Sequence, residues 1–205
     1  MKIIPPDQLM KIPIKDNNEE LVDIVNACSG AAVYQGREDC ALLRKTVAEK
    51  LNHAHSSLPG GYMFRVFEAY RPLAVQKQMY DELLESLRQK NTDWDEHRLR
   101  QEANKFVAPL EMVPPHSTGG AIDLTIVNRF GNELDMGTRY LEFCSATHTD
   151  SPEILGAARE NRDLLIKAMS RVDFANHPAE WWHWSFGDRT WAGITGNKIS
   201  FYGGK

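Results

Sequence analysis

The sequence predicts an α+β fold: one domain over residues 1–205, built on a mainly antiparallel central sheet flanked by helices. Three observations predict it. The strand-like run "YMFRVFE", residues 62–68, is followed by two helical patterns in succession, so the regular strand–helix alternation of a doubly wound parallel sheet is missing. A second run, "AIDLTIV", residues 121–127, alternates apolar Ile122, Leu124 and Ile126 with Ala121, Asp123 and Thr125, the period of a strand. Finally, no Ser/Gly-rich or charge-run linker divides the 205 residues, a length suited to one domain with a substantial core.

The elements follow in order. Residues 38–57, "EDCALLRKTVAEKLNHAHSS", carry Leu43, Val47 and Leu51 at helical spacing and predict a helix that the breakers "LPGG" end. Residues 62–68 are rich in aromatic and β-branched side chains and predict a strand. Pro72 stops it, because proline has no N–H for a ladder. Residues 73–90 and 94–108 predict helices, and "PLEMVPPHSTGG" a loop. The strand 121–127 ends at a turn near "RFGNE". Residues 152–171 predict an amphipathic helix with Ile154, Leu155, Ala158, Leu165 and Met169 on its apolar side. "EWWHWSF", residues 180–186, predicts a strand, and "KISFYGG", residues 198–204, a short edge strand.

The formal net charge of −4 leaves no basic footprint for nucleic acid. No apolar run approaches the ~20 residues needed to cross a bilayer. The first twenty residues have one early lysine and a broken apolar stretch with prolines, which does not read as a signal peptide. The cysteines, Cys28, Cys40 and Cys144, are odd in number and form no C-x-x-C pair, so a disulfide framework is not expected and a cytoplasmic setting is. Each reads as a small apolar residue.

Three stretches carry candidate chemistry. In "HSTGGAIDLTI", residues 116–126, strand alternation turns Asp123 away from the apolar face. His116 lies an odd number of residues before it, and Gly119-Gly120 supplies a bend that brings it round. The plainer reading is a turn histidine and a solvent-facing aspartate. In "EWWHWSF", a strand would put His183 on one face with Trp181 and Ser185, and send Trp182 and Trp184 to the other. Pro178 makes a loop before Glu180, which can then lean over the His183 face; the plainer reading is a core histidine among tryptophans. In "FEAYRP", Arg71 is fixed between a strand and a proline, placed to meet a carboxylate or an oxyanion unless it is simply solvated. Together His116, Asp123 and His183 make a two-histidine, one-carboxylate set suited to catalytic Zn²⁺, with Glu180 as spare carboxylate and Arg71 as spare cation. No H-E-x-x-H, G-x-S-x-G or S-x-x-K motif is present.

With these residues assembled, the chain from about residue 20 onward resembles the D-alanyl-D-alanine dipeptidases, the VanX-like branch of the zinc D,D-peptidases related in fold to the Hedgehog amino-terminal domain. "HSTGGAID" is similar to the family's H-x-x-G-x-A-x-D, "EWWH" to its E-x-W-H, "EAYRP" to its G-Y-R-P region, and "MGTRY", residues 136–140, to a segment after the metal strand. The resemblance implies zinc ligands at His116, Asp123 and His183, a catalytic base at Glu180 and a transition-state arginine at Arg71. It implies metal-activated hydrolysis of D-Ala-D-Ala or a similar D-amino-acid dipeptide, with a small dipeptide as partner and no nucleic acid or membrane. A D,D- or L,D-carboxypeptidase of longer cell-wall peptides and a non-catalytic zinc-binding module of the same fold are the alternatives. The chain departs from the family at Pro114, where a serine is usual, at Glu68 and Ala69, and at Leu141-Glu142, where an acid is expected first. The serine and that acid belong to the region that handles the substrate's amino end.

Overall fold

The run 121–127 is rich in β-branched and apolar side chains and carries one charge, and it lies at the centre of a sheet. The computed structural model describes residues 3–205, with the backbone alone at Asp39. In chain order its elements are α1 (Pro6–Met10), β1 (Leu21–Asp23), α2 (Ile24–Ala27), β2 (Ala32–Tyr34), β3 (Leu42–Arg44), α3 (Lys45–His55), β4 (Met63–Glu68), α4 (Leu73–Lys90), α5 (Glu96–Ala103), β5 (Ala121–Val127), α6 (Gly156–Ser170), β6 (Ala175–Asn176), β7 (His183–Ser185) and α7 (Arg189–Thr195). A five-stranded sheet runs β2-β4-β5-β7-β6, and β1 pairs with β3 as a separate ribbon. Only the β2–β4 pairing in the main sheet is parallel; the others are antiparallel. The fold is thus α+β with a mainly antiparallel sheet, as the element order predicts.

Strand β5 is buried along its whole length. Ile122, Leu124 and Ile126 enter one core cluster with Val47 and Leu51 of α3 and Leu165 and Met169 of α6. That leaves Asp123 and Thr125 on the other side, buried at 4% and 1% exposure, so Asp123 is far from the solvent-facing residue of the plainer reading. A smaller cluster, Tyr80 and Leu84 of α4 with Leu99 and Ala103 of α5, joins that helix pair.

Strand β4, helix α4 and strand β5 fall where the sequence pattern places them, within a residue. Five expectations change. The helix expected over 38–57 begins only at Lys45, because Leu42–Arg44 pairs antiparallel with Leu21–Asp23, and Leu43 is buried from a strand. Helices 94–108 and 152–171 shorten to Glu96–Ala103 and Gly156–Ser170, and Leu155, expected on the apolar side, stands before the second helix at 76% exposure. The strand over 180–186 contracts to His183–Ser185, since residues 177–182 make consecutive turns closed by Glu180 N–H to His177 O and His183 N–H to Glu180 O. "KISFYGG" forms no strand; Ser200 makes an isolated parallel bridge with Ile14.

The segment 136–148, which leaves the site's rim, has no regular structure of its own beyond a short 3-10 turn, so its carbonyls need other partners. Arg162 of α6 supplies them. Its guanidinium, 1% exposed, donates to Met136 O, Ala146 O and His148 O at 2.8–2.9 Å. Burial, with the like charge of Arg159, lowers its pKa to about 10, which leaves it charged at neutral pH. Arg162→Met is expected to strand these carbonyls and cost about 3 kcal/mol. For a chain of this size that is a fall in Tm of roughly 6–12 °C, measurable by scanning calorimetry; a Tm within 2 °C of the parent would contradict the assignment.

Candidate metal centre and catalytic cleft

Antiparallel pairing places Asp123 of β5 directly opposite His183 of β7, so their side chains emerge on one face. Asp123 Oδ1 lies 2.8 Å from His183 Nδ1. His116 arrives from the 3-10 turn Pro115–Thr118. The turn ends at Gly119 in the left-handed region (φ +72°), where a Cβ would also meet Leu21 Cδ2 at 2.4 Å. This is the bend that the glycine pair was expected to supply. His116 Nε2 then stands 3.2 Å from His183 Nδ1 and 3.3 Å from Asp123 Oδ1.

Three donor atoms therefore converge, and their other atoms are already committed. His116 Nδ1 faces Ala69 O at 2.8 Å, an acceptor, so Nδ1 carries the proton and the Nε2 lone pair points inward. His183 Nε2 faces Ser185 Oγ at 3.4 Å, which leaves Nδ1 inward. Tyr140 Oη donates to Asp123 Oδ2 at 3.0 Å and leaves Oδ1 for the centre. A tetrahedral site with ligand bonds of ~2.0–2.1 Å has donor–donor edges of about 3.3–3.4 Å; the observed separations of 2.8–3.3 Å are close to those edges. Three buried lone pairs aimed at one point repel unless a cation joins them, so the donor set fits a metal ion. The electrostatics agree. Burial disfavours charge on both partners, yet the two histidines hold the Asp123 carboxyl well below the usual carboxylate range. The hydrogen bond and charge of Asp123 in turn raise His183 to about 9, so without a metal ion a proton on Nδ1 bridges to Asp123 Oδ1, the position that a metal cation would take over.

Glu180 sits in the turn before β7, half-buried, and burial raises its pKa with the Asp123 charge acting in the same direction. Asn176 holds this turn: its amide donates to Trp181 O at 3.2 Å and His183 O at 3.0 Å, and its Oδ1 accepts from Thr149 Oγ1. Arg71 follows β4. Its Nε donates to Glu68 Oε1 at 2.6 Å, its Nη2 to Glu68 Oε2, and its Nη1 to Gln76 Oε1 at 2.6 Å. Among the described residues, Glu68 and Gln76 are the partners of the guanidinium, and they take one hydrogen each on Nη1 and Nη2. Gln76, wholly buried, is oriented by donating to Ala108 O at 2.6 Å. Glu68 is thus the partner of Arg71.

His116, Asp123, His183, Glu180 and Arg71 all line one cleft of about 610 Å³. The structure brings these five candidate residues together. It also corrects the tryptophans. Trp182, expected on the face opposite His183, lines the cleft and meets Tyr140 edge to face. Trp181, expected beside His183, donates its Nε1–H to Thr138 Oγ1. Strand alternation does not reach them, because the strand begins at His183. Tyr140, Gln76, Asn176 and His177 were not picked out; only Tyr140 had a signal, inside the quoted "MGTRY". His177 lines the cleft with its Nδ1 buried and unpartnered, and Glu180 Oε1 is 3.8 Å away.

Similarity to known proteins points the same way. A family profile described as D-Ala-D-Ala dipeptidase matches residues 24–200. A D-alanyl-D-alanine dipeptidase of Synechocystis sp. is 30% identical, with 97% of each chain covered. A D-alanyl-D-alanine dipeptidase of Escherichia coli K12 is 26% identical over 79% of this chain and 76% of its own length. Among solved structures, the LdcB LD-carboxypeptidase superposes with a TM-score of 0.52 over 97% of this chain and 90% of its own, at 16% identity, a likeness of fold. The match over residues 24–200 and the near full-length relative show that the chain belongs to the D-Ala-D-Ala dipeptidase family of peptidases.

Proposed function

We propose that this chain is a zinc-dependent dipeptidase that hydrolyses D-Ala-D-Ala or a similar D-amino-acid dipeptide. The observation that carries the reading is the convergence, in one cleft, of a metal-fitting donor set with a half-buried carboxylate and an arginine that the donors do not use. His116 Nε2, Asp123 Oδ1 and His183 Nδ1 would hold the ion, with Ala69 O, Tyr140 and Ser185 fixing their orientation. When bound, Zn²⁺ supplies a Lewis acid and brings the pKa of water towards ~7.

The chain's own residues do the rest. Glu180, its proton affinity raised by burial, takes the proton of the attacking water and returns it to the leaving amine. Arg71, locked by Glu68 and Gln76, presents its remaining N–H groups to the oxygen that becomes negative as the peptide carbon turns tetrahedral. A donor of that kind is worth ~10²–10³ in rate, and its preorganisation means that no reorientation is needed during the reaction. Trp182, fully buried at the cleft wall, helps exclude bulk water.

A carboxypeptidase acting on longer peptides is the second reading, favoured by the size of the cleft. A purely structural metal module would use neither Glu180 nor Arg71. The zinc-loaded protein should be assayed against D-Ala-D-Ala, L-Ala-L-Ala, N-acetyl-D-Ala-D-Ala and a pentapeptide ending in D-Ala-D-Ala. A site that binds a free amino end leaves polar groups unpaired when that end is blocked, so acetylation is expected to lower kcat/KM by ~10²-fold or more. Equal cleavage of the acetylated dipeptide or the pentapeptide would favour the carboxypeptidase.

A further inference from the structure

A cleft of about 610 Å³ falls within the roughly 300–1,000 Å³ of sites for drug-sized ligands, and a dialanine is much smaller than those. Some element must therefore set where the peptide ends. The proline loop before His116 forms one wall through Met112 and Pro114, and α1 near the start of the sequence packs against its turn Leu110–Met112; Ile4 and Leu9 line the same cleft.

The geometry points to residues 3–12 as the end wall of the substrate cleft, the element that stops a peptide from continuing past the amino end of the dipeptide. This rests on the dipeptidase reading above and adds to it the part that determines substrate length.

Two devices hold the segment, and both lie on α7. The first is Gly193. Its φ lies outside the left-handed region, so the backbone does not need a glycine there, and glycine is the poorest helix former after proline. What it provides is room: a Cβ at Gly193 would stand 2.7 Å from Leu9 Cδ2 and 2.9 Å from Ile4 Cδ1. The second is Arg189. Its Nε donates to Ile12 O at 2.9 Å and its Nη1 to Met112 O at 3.2 Å, so one guanidinium ties the N-terminal segment to the proline loop. Helix α1 has no side-chain N-cap bond, and at five residues it is too short to stand alone; its position depends on these contacts. The peptide is excluded by an apolar surface (Ile4 and Leu9) facing where an amino-end extension would carry polar backbone groups. Burying those groups unpaired is unfavourable.

The test uses the full-length, zinc-loaded protein and two variants. Gly193→Leu fills the space under Leu9 and Ile4, and Arg189→Met removes the guanidinium tie from α7 to Ile12 O and Met112 O. Hydrogen exchange of residues 3–12 reports whether the wall is released. Binding of a phosphinate analogue of D-Ala-D-Ala, and of the same analogue extended by lysine at its amino end, reports length selectivity; turnover of the free dipeptide is followed beside it. The expected result is faster exchange over 3–12 and at least a tenfold rise in the affinity of the extended analogue relative to the short one. Affinity for the short analogue should change less than threefold. Faster exchange with an unchanged ratio overturns the wall. Unchanged exchange in both variants overturns the latch that the wall requires. Failure of the parent protein to hydrolyse any dipeptide rejects the dipeptidase reading separately, while the binding ratio still scores the wall.

Discussion

His116→Ala and His183→Ala are each expected to lose stoichiometric zinc and hydrolysis together. Each change removes one of three donor atoms that lie within 3.3 Å of one another and leaves two, one fewer than a catalytic site uses. A bound ion that lowers the barrier by several kcal/mol takes at least ~10³ of the rate with it when lost. The fold should survive in both, because β5 and β7 pair through their backbones and the main core cluster contains neither histidine. Elemental analysis and circular dichroism on the same preparations check this. Full zinc in either variant would remove that residue from the donor set. The two substitutions also differ in what they leave behind. His183→Ala strips Asp123 of its 2.8 Å partner and should weaken the apo strand pairing more than His116→Ala, which acts on a turn.

Glu180→Gln is expected to keep one zinc per chain and lose ~10²–10⁴ in turnover. Glutamine has nearly the same shape, and Glu180 belongs to the turn before β7 and is absent from the donor cluster. It cannot accept and return a proton, however. Asn176 holds the turn through backbone carbonyls, so the turn does not depend on the Glu180 carboxylate. Binding of the phosphinate dipeptide analogue should persist. Near-normal kcat with full zinc would remove Glu180 from the mechanism, and lost zinc would instead make it a ligand or a structural support.

How much of this was legible varies with how local the cause is. "AIDLTIV" reads correctly to the residue because a buried β-branched strand has no other comfortable conformation. Leu73–Lys90 reads correctly because Pro72 marks its start. "EDCALLRK" misleads because Leu43, Val47 and Leu51 satisfy a helical period, while pairing with Leu21–Asp23 takes the first of them into a strand. "EWWHWSF" misleads in the same way: turns closed by Glu180 N–H to His177 O and His183 N–H to Glu180 O use backbone groups that a longer strand would have given to its neighbours, and the faces of Trp181 and Trp182 change with them.

The sequence by itself determined the kinds of atom at the site. Two imidazoles, a carboxylate on the polar side of a strand, a second carboxylate and a fixed arginine follow from residue identity and short-range spacing, and motif resemblance adds the family. The tertiary structure decided which partners complete them. Tyr140 on Asp123, Gln76 on Arg71 and Asn176 under the Glu180 turn are contacts made by the fold. So is the junction of residues 3–12 with α7, nearly the full length of the chain apart. Residue spacing encodes geometry only over the few residues that one helical turn or strand repeat spans. Contacts between distant segments depend on how the sheet and its helices pack, and packing is a property of the whole core.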